Sequence, residues 1–196
     1  MTYDDLVEFI REDGCRVYVY KNKDEIYGGC HGTFSAGEDN PIICVVTKDV
    51  ERKKRVETLL HEYGHYLQYK DGFMQYLDGI IDSYDMLEKW IKGKIELTEL
   101  EKTIICNTML TIEYDAEKRG YEQGCYLEPD DWDGTFYLRG AAAYMDSIKW
   151  QFATRISNYD ALSRRKYSPS ILTLEELYAP LTEAKVEDMS MHFRKL

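Results

Sequence analysis

Val56-Glu57-Thr58-Leu59-Leu60-His61-Glu62-Tyr63-Gly64-His65-Tyr66-Leu67-Gln68 lies in a stretch, about 49–69, where apolar residues recur at helical spacing: Val56, Leu59, Leu60, Tyr63 and Leu67 share a stripe. Inside it, His61-Glu62-Tyr63-Gly64-His65 sets two imidazoles four residues apart. On a helix that spacing puts both on one face, about 6 Å apart along the axis, where two ring nitrogens can grip one tetrahedral ion. Glu62, next to the first imidazole, is then placed to take a proton from water at that ion. At about 100° per residue, His61 and His65 fall opposite the stripe of Val56, Leu60, Tyr63 and Leu67. They therefore meet either solvent or a second layer of protein.

The second layer is readable further along. Thr98-Glu99-Leu100-Glu101 is a capping box and opens a long helix to about Gln123. On that helix Glu113 and Glu117, four apart, share a face with Cys106, Met109, Leu110, Ala116 and Gly120. Two carboxylates on an apolar face are destabilising unless a cation meets them. A zinc ion on His61 and His65 would be that cation. Glu113 would supply a third ligand, and Glu117 would accept the N–H of a ligating histidine. A fourth position stays open to water, which is the pattern of a catalytic rather than a structural zinc site.

Around these two helices the chain reads as α+β. A helix over Tyr3 to Arg11 starts at the cap residue Thr2, with Asp4 and Asp5 facing the positive end of its dipole. Cys15 to Tyr20, Gly32 to Phe34 and Ile42 to Val46 are strand-like, the last two flanking the turn signal Gly37-Glu38-Asp39-Asn40-Pro41. They predict a small antiparallel sheet whose edge strand, Ile42 to Val46, would pair with an extended substrate. Helices are expected from Met74 to Trp90, ending near Gly93, and from Phe136 to Tyr159, after the acidic loop Glu128 to Gly134. A capping box at Thr173 to Glu176 begins a short helix broken at Pro180. The expected organisation is one domain over 1–160 with a mostly helical C-terminal half, and a helical arm over 161–196.

Composition narrows the partners. A formal net charge of −11 repels phosphate backbones and anionic lipid, which argues against nucleic acid. The short basic runs Arg52 to Arg55 and Arg164 to Lys166 read as solvated faces. No apolar run reaches about 18 residues, and the acidic start, MTYDDLVEFI, is unlike a secretory signal. Five widely spaced cysteines, without a C-x-x-C pair, read as reduced and mostly buried thiols. The expectation is a cytoplasmic protein with no membrane partner.

The segment 56–68 followed by Glu113-Tyr114-Asp115-Ala116-Glu117 resembles the gluzincin zinc peptidases, in which H-E-x-x-H on one helix is completed by a Glu on a later helix. The order of helix, small sheet, motif helix and Glu helix is similar to the ImmA/IrrE regulatory peptidases, and the resemblance covers roughly residues 1–125. The E-Y-x-A-[DE] wording is closer to the integral-membrane stress-response zinc peptidases. Glu117 stands where the family usually has Asp or Asn. The resemblance implies a zincin-like domain that hydrolyses a peptide or protein substrate with Zn2+, Glu62 acting as base. In related peptidases with an extended motif the third ligand lies six residues after the second histidine, here Asp71. That version needs Gly at 68 to turn the chain back, and this chain has Gln68.

An oxyanion stabiliser would come from Tyr121, Tyr137, Arg139 or Tyr144, with no reason to choose among them. His31 and His192 have no motif around them and read as structural or exposed. A metal-binding pseudoenzyme, or an interaction module of the same fold, is the alternative reading.

Overall fold

The computed structural model describes residues 1–26, 30–37, 40–73 and 80–155, without the side chains of 80–82. The expected arm over 161–196, with its capping box and His192, lies outside the described residues, as do the start of the helix expected at Met74 and the basic run at 164–166. The elements in chain order are α1 (Tyr3–Glu12), β1 (Arg16–Tyr20), β2 (Gly32–Ser35), β3 (Ile42–Val46), α2 (Arg52–Lys70), α3 (Ile80–Ile91), α4 (Glu99–Leu127) and α5 (Gly134–Thr154). The protein is α+β, mostly helical, with a three-stranded sheet. Among the described residues no helix is long and apolar enough to cross a membrane.

The chain divides into two compact units. The first takes residues 1–73 and 115–137; the second takes the described residues of 74–114 and 138–196.

In the first unit, α1 begins with the expected capping box: Asp5 N–H donates to Thr2 Oγ1 at 3.1 Å, and Thr2 N–H donates to Asp5 Oδ2 at 2.9 Å. Its apolar face, Leu6, Val7 and Ile10, is buried. The sheet is mixed rather than antiparallel. Its order is β1-β3-β2, with β1 parallel and β2 antiparallel to β3. β2 and β3 do pair antiparallel, as expected of the segments flanking 37–41, but β1 joins on the far side of β3. Ile42 to Val46 is therefore the central strand and not the expected edge. The physical reason is in its composition: an unbroken apolar run suits a strand flanked on both sides, whereas edge strands carry alternating polar residues. Ile43, Val45 and Val46 are at most 2% exposed, while β1 buries only Val17 and exposes Tyr18 and Val19.

α2 starts at Arg52, three residues later than the spacing predicts, because Asp49 takes a left-handed φ of 57° that no helix interior accommodates. Four basic residues in the first turn oppose the helix dipole. Three of them are paired: Lys53 with Asp133 at 2.7 Å, Lys54 with Glu57 at 2.9 Å, and Arg55 Nε with the Val50 carbonyl at 2.8 Å. The other end is anchored to the turn after α1. Tyr63 donates to Asp13 Oδ2 at 2.9 Å, Tyr66 to the Asp13 carbonyl at 2.6 Å, and Lys70 pairs with Asp13 at 2.5 Å.

The second unit is held by Leu87, Trp90, Leu97, Ile105, Met109, Leu110, Met145, Ile148 and Phe152, all buried, with Trp90 and Phe152 stacked at 6.2 Å. α4 begins at the expected box, Glu101 N–H donating to Thr98 Oγ1 at 3.3 Å. It runs four residues beyond Gln123 and stops where Glu128 turns to a φ of 44°. The cysteines are free, as expected; Cys15 and Cys106 are buried, Cys30 and Cys44 half-buried and Cys125 exposed.

Candidate metal centre

α2 is buried around most of its circumference because α4 covers the side away from the sheet. The two helices meet backbone to backbone. A Cβ on Gly64 would overlap the Ala116 carbonyl, and one on Gly120 would overlap the Leu60 carbonyl and the Tyr137 hydroxyl. The Gly of the H-E-Y-G-H motif is thus the contact point that lets α4 approach. Small residues on both helices bring the histidine face of α2 against α4.

His61 and His65, one turn apart, stand edge to face with ring centroids 4.8 Å apart, and both are half-buried. His61 Nδ1 lies 3.1 Å from Glu117 Oε1. His65 Nδ1 lies 2.9 Å from Gln68 Oε1. The His65 ring is held through Nδ1, which leaves its Nε2 side as the one suited to a metal, whereas the His61–Glu117 approach is an ion-pair contact without hydrogen-bond alignment. Glu113, one turn before Glu117 on α4, completes a group: ligand atoms of His61, His65 and Glu113 all lie within 4.8 Å of one another. The Tyr84 hydroxyl donates to Glu113 Oε1.

Four carboxylates on these two helices are nearly inaccessible: Glu57, Glu62, Glu113 and Glu117 are 3%, 6%, 2% and 2% exposed. So many buried carboxylates favour a cation. Burial pushes the Glu57 carboxyl up to about 7, against the opposing pull of Lys54. Glu62 sits under β2, so close that a Cβ on Gly32 would fall 2.8 Å from Glu62 Oε1. Tyr137 is fully buried with its hydroxyl against Glu117; burial first, then that carboxylate, raises its ionisation far above the ordinary phenol range. It stays a neutral donor.

The remaining candidates fall elsewhere. Asp71 caps α2, which runs straight through Gln68 to Lys70, and pairs with Arg119 at 2.5 Å; it is not among the three grouped ligands. Tyr121 packs on Trp132 and Tyr137, at 5.7 and 6.1 Å between rings. Tyr144 packs against the core of the second unit and Arg139 is exposed. His31 precedes β2, and its carbonyl accepts the Val46 N–H at 2.8 Å. Sequence reasoning missed Gln68, Asp115, Arg119 and Tyr84. Gln68 carried a signal, since a residue three after His65 lies on the same helix face.

No family model, curated protein or solved structure matches the chain. The chemistry therefore rests on the residues themselves.

Proposed function

We propose that this chain is a zinc-dependent metallopeptidase of zincin type, with His61, His65 and Glu113 as ligands and Glu62 as general base. The observation that supports it most is the convergence of those three ligand atoms, with the buried Glu62 following His61 in the chain. Two imidazole nitrogens and one carboxylate oxygen are a donor set that suits zinc and leaves a position for water. The buried carboxylates Glu113 and Glu117 fit the same ion, since they make sense on an apolar face when a cation is near.

When bound, zinc supplies Lewis acidity, lowering the pKa of coordinated water to about 7 and polarising a carbonyl. The protein's own groups do the rest. Glu62 takes the proton of the attacking water and returns it to the leaving amine. Glu117 faces the Nδ1 edge of the His61 ring, and the neutral Tyr137 phenol backs Glu117. With β3 in the centre of the sheet, the strand suited to pairing with an extended peptide is β2, an edge strand that packs on α2 above Glu62. The free cysteines support action in a reducing compartment such as the cytoplasm.

The test is elemental analysis of purified protein together with a peptide-library cleavage assay. About one zinc per chain, lost in the double variant His61→Ala/His65→Ala, and cleavage abolished by Glu62→Gln, are the expected results. Stoichiometric zinc in the double variant overturns the ligand assignment. Zinc without any cleavage favours a metal-binding interaction module.

A further inference from the structure

His65 stands at the end of a chain of hydrogen bonds within the first unit. Its Nδ1 meets Gln68 Oε1 at 2.9 Å. Gln68 Nε2 donates to Asp115 Oδ2 at 3.0 Å. Arg119 Nε donates to the same oxygen at 2.7 Å, and Arg119 Nη1 reaches Asp71 Oδ2 at 2.5 Å. Gln68 is fully buried, whereas Asp71 at the outer end is exposed.

The direction of every bond follows from the chemistry of its ends. Arg119 has only donors, so Asp115 accepts from it as a carboxylate. A carboxylate has only acceptors, so Gln68 must turn its NH2 toward Asp115 and its carbonyl toward His65. That carbonyl can only accept, which requires the proton of a neutral His65 to sit on Nδ1. The lone pair is then on Nε2. An amide in a less committed setting could flip and reverse the pattern; here the guanidinium at the far end forbids it.

We propose that Gln68, Asp115 and Arg119 form a positioning relay that locks His65 in its Nδ1–H tautomer and so presents Nε2 to the metal. The proposal rests on the metallopeptidase reading for its purpose, but not for its test. Gln68, where an extended motif would place a chain-reversing glycine, instead lets α2 continue and orients the second histidine. Asp71 serves the outer end of the relay in place of ligation.

The experiment is long-range 1H–15N correlation NMR of the histidine side chains in chelator-treated protein, where tautomers are read directly. The wild type is expected to show neutral His65 protonated at Nδ1. Gln68→Met keeps the volume and helix propensity but removes the acceptor, and should release His65 toward the Nε2–H form that imidazole prefers in water. Asp115→Ala should do the same by freeing the amide. Asp115→Asn should keep the lock, because Gln68 and Arg119 share one oxygen and an amide oxygen in that place serves both. A role confined to charge would not separate Asn from Ala, and a role confined to packing would leave the tautomer unchanged in the volume-matched Gln68→Met. Zinc affinity should fall roughly 10 to 100-fold in Gln68→Met and Asp115→Ala, and stay near wild type in Asp115→Asn.

An Nε2–H tautomer in the wild type overturns the relay, as does an unchanged Nδ1–H tautomer in both Gln68→Met and Asp115→Ala. If either variant fails to fold, the wild-type spectrum and the Asp115→Asn comparison still decide. A locked tautomer in a protein that binds no zinc leaves the relay standing and sinks the metallopeptidase reading. The two failures are therefore distinguishable.

Discussion

Glu117 Oε1 lies 3.1 Å from His61 Nδ1, one turn of α4 beyond Glu113. Glu117 faces only the Nδ1 edge of His61, whereas Glu113 is the carboxylate grouped with both imidazoles. The two glutamates consequently carry different loads. Glu113→Ala should lower zinc affinity by far more than the roughly 10 to 100-fold expected for Glu117→Ala, and Asp71→Ala should alter it little. Competition with a chromophoric chelator ranks the three. The order fails if Asp71→Ala releases the metal while Glu113→Ala keeps it.

Glu62→Gln preserves the shape of a side chain that is 6% exposed but removes its ability to accept a proton. Zinc content and thermal stability should remain close to wild type while cleavage falls by at least roughly 100-fold, the range for loss of a general base. A cleaved substrate turned over at the wild-type rate by this variant would refute the role.

Gly64→Ala sets two effects against each other. Alanine is better than glycine in a helix by about 1 kcal/mol. The added methyl, however, would overlap the Ala116 carbonyl, and backbone cannot yield as a flexible side chain does. Overpacking of this kind typically costs about 1–3 kcal/mol, so a net loss of stability is expected. Urea denaturation of the metal-free protein measures it; a gain in stability would mean that the helices do not touch there.

Glu57 should make stability depend on pH. Burial raises its carboxyl from 4.5 to about 7 in the folded protein. Between those values the folded state holds a proton that the unfolded state has released, so stability falls as pH rises across that window and levels off above it. At about 1.4 kcal/mol per pH unit the contribution reaches about 3 kcal/mol. Glu57→Gln should remove this slope, gaining on the wild type by about that amount between pH 4.5 and pH 8. Denaturant midpoints for the metal-free pair at both pH values provide the check, and parallel pH profiles would show that Glu57 ionises normally.

What could be read in advance was whatever depended on local periodicity. The capping boxes at Thr2 and Thr98, the helical setting of His61 and His65, and the apolar surroundings of Glu113 and Glu117 all follow from residues a few positions apart. Strand order did not. Whether β1 lies beside β2 or β3 is decided by pairing across more than 20 residues, although the unbroken apolar run Ile42 to Val46 was a sign of a central strand. The start of α2 is not legible in the sequence, because the left-handed turn at Asp49 leaves no mark in a residue type that also occurs in first helical turns. Gln68 stands out in the sequence only as an absent glycine, since a glutamine by itself does not name the carboxylate that will orient its amide.

The meeting of α2 and α4 through Gly64, Ala116 and Gly120 also bears on how substitution data for this protein will look. Saturation mutagenesis should mark Gly64 and Gly120 as intolerant as His61 and His65, because a Cβ at either meets the main chain of the other helix. Sensitivity alone will therefore overstate the number of residues that take part in chemistry. Supplementation separates the groups: excess zinc should rescue variants that merely weaken the hold on the metal, and leave untouched those in which the helices have been pushed apart.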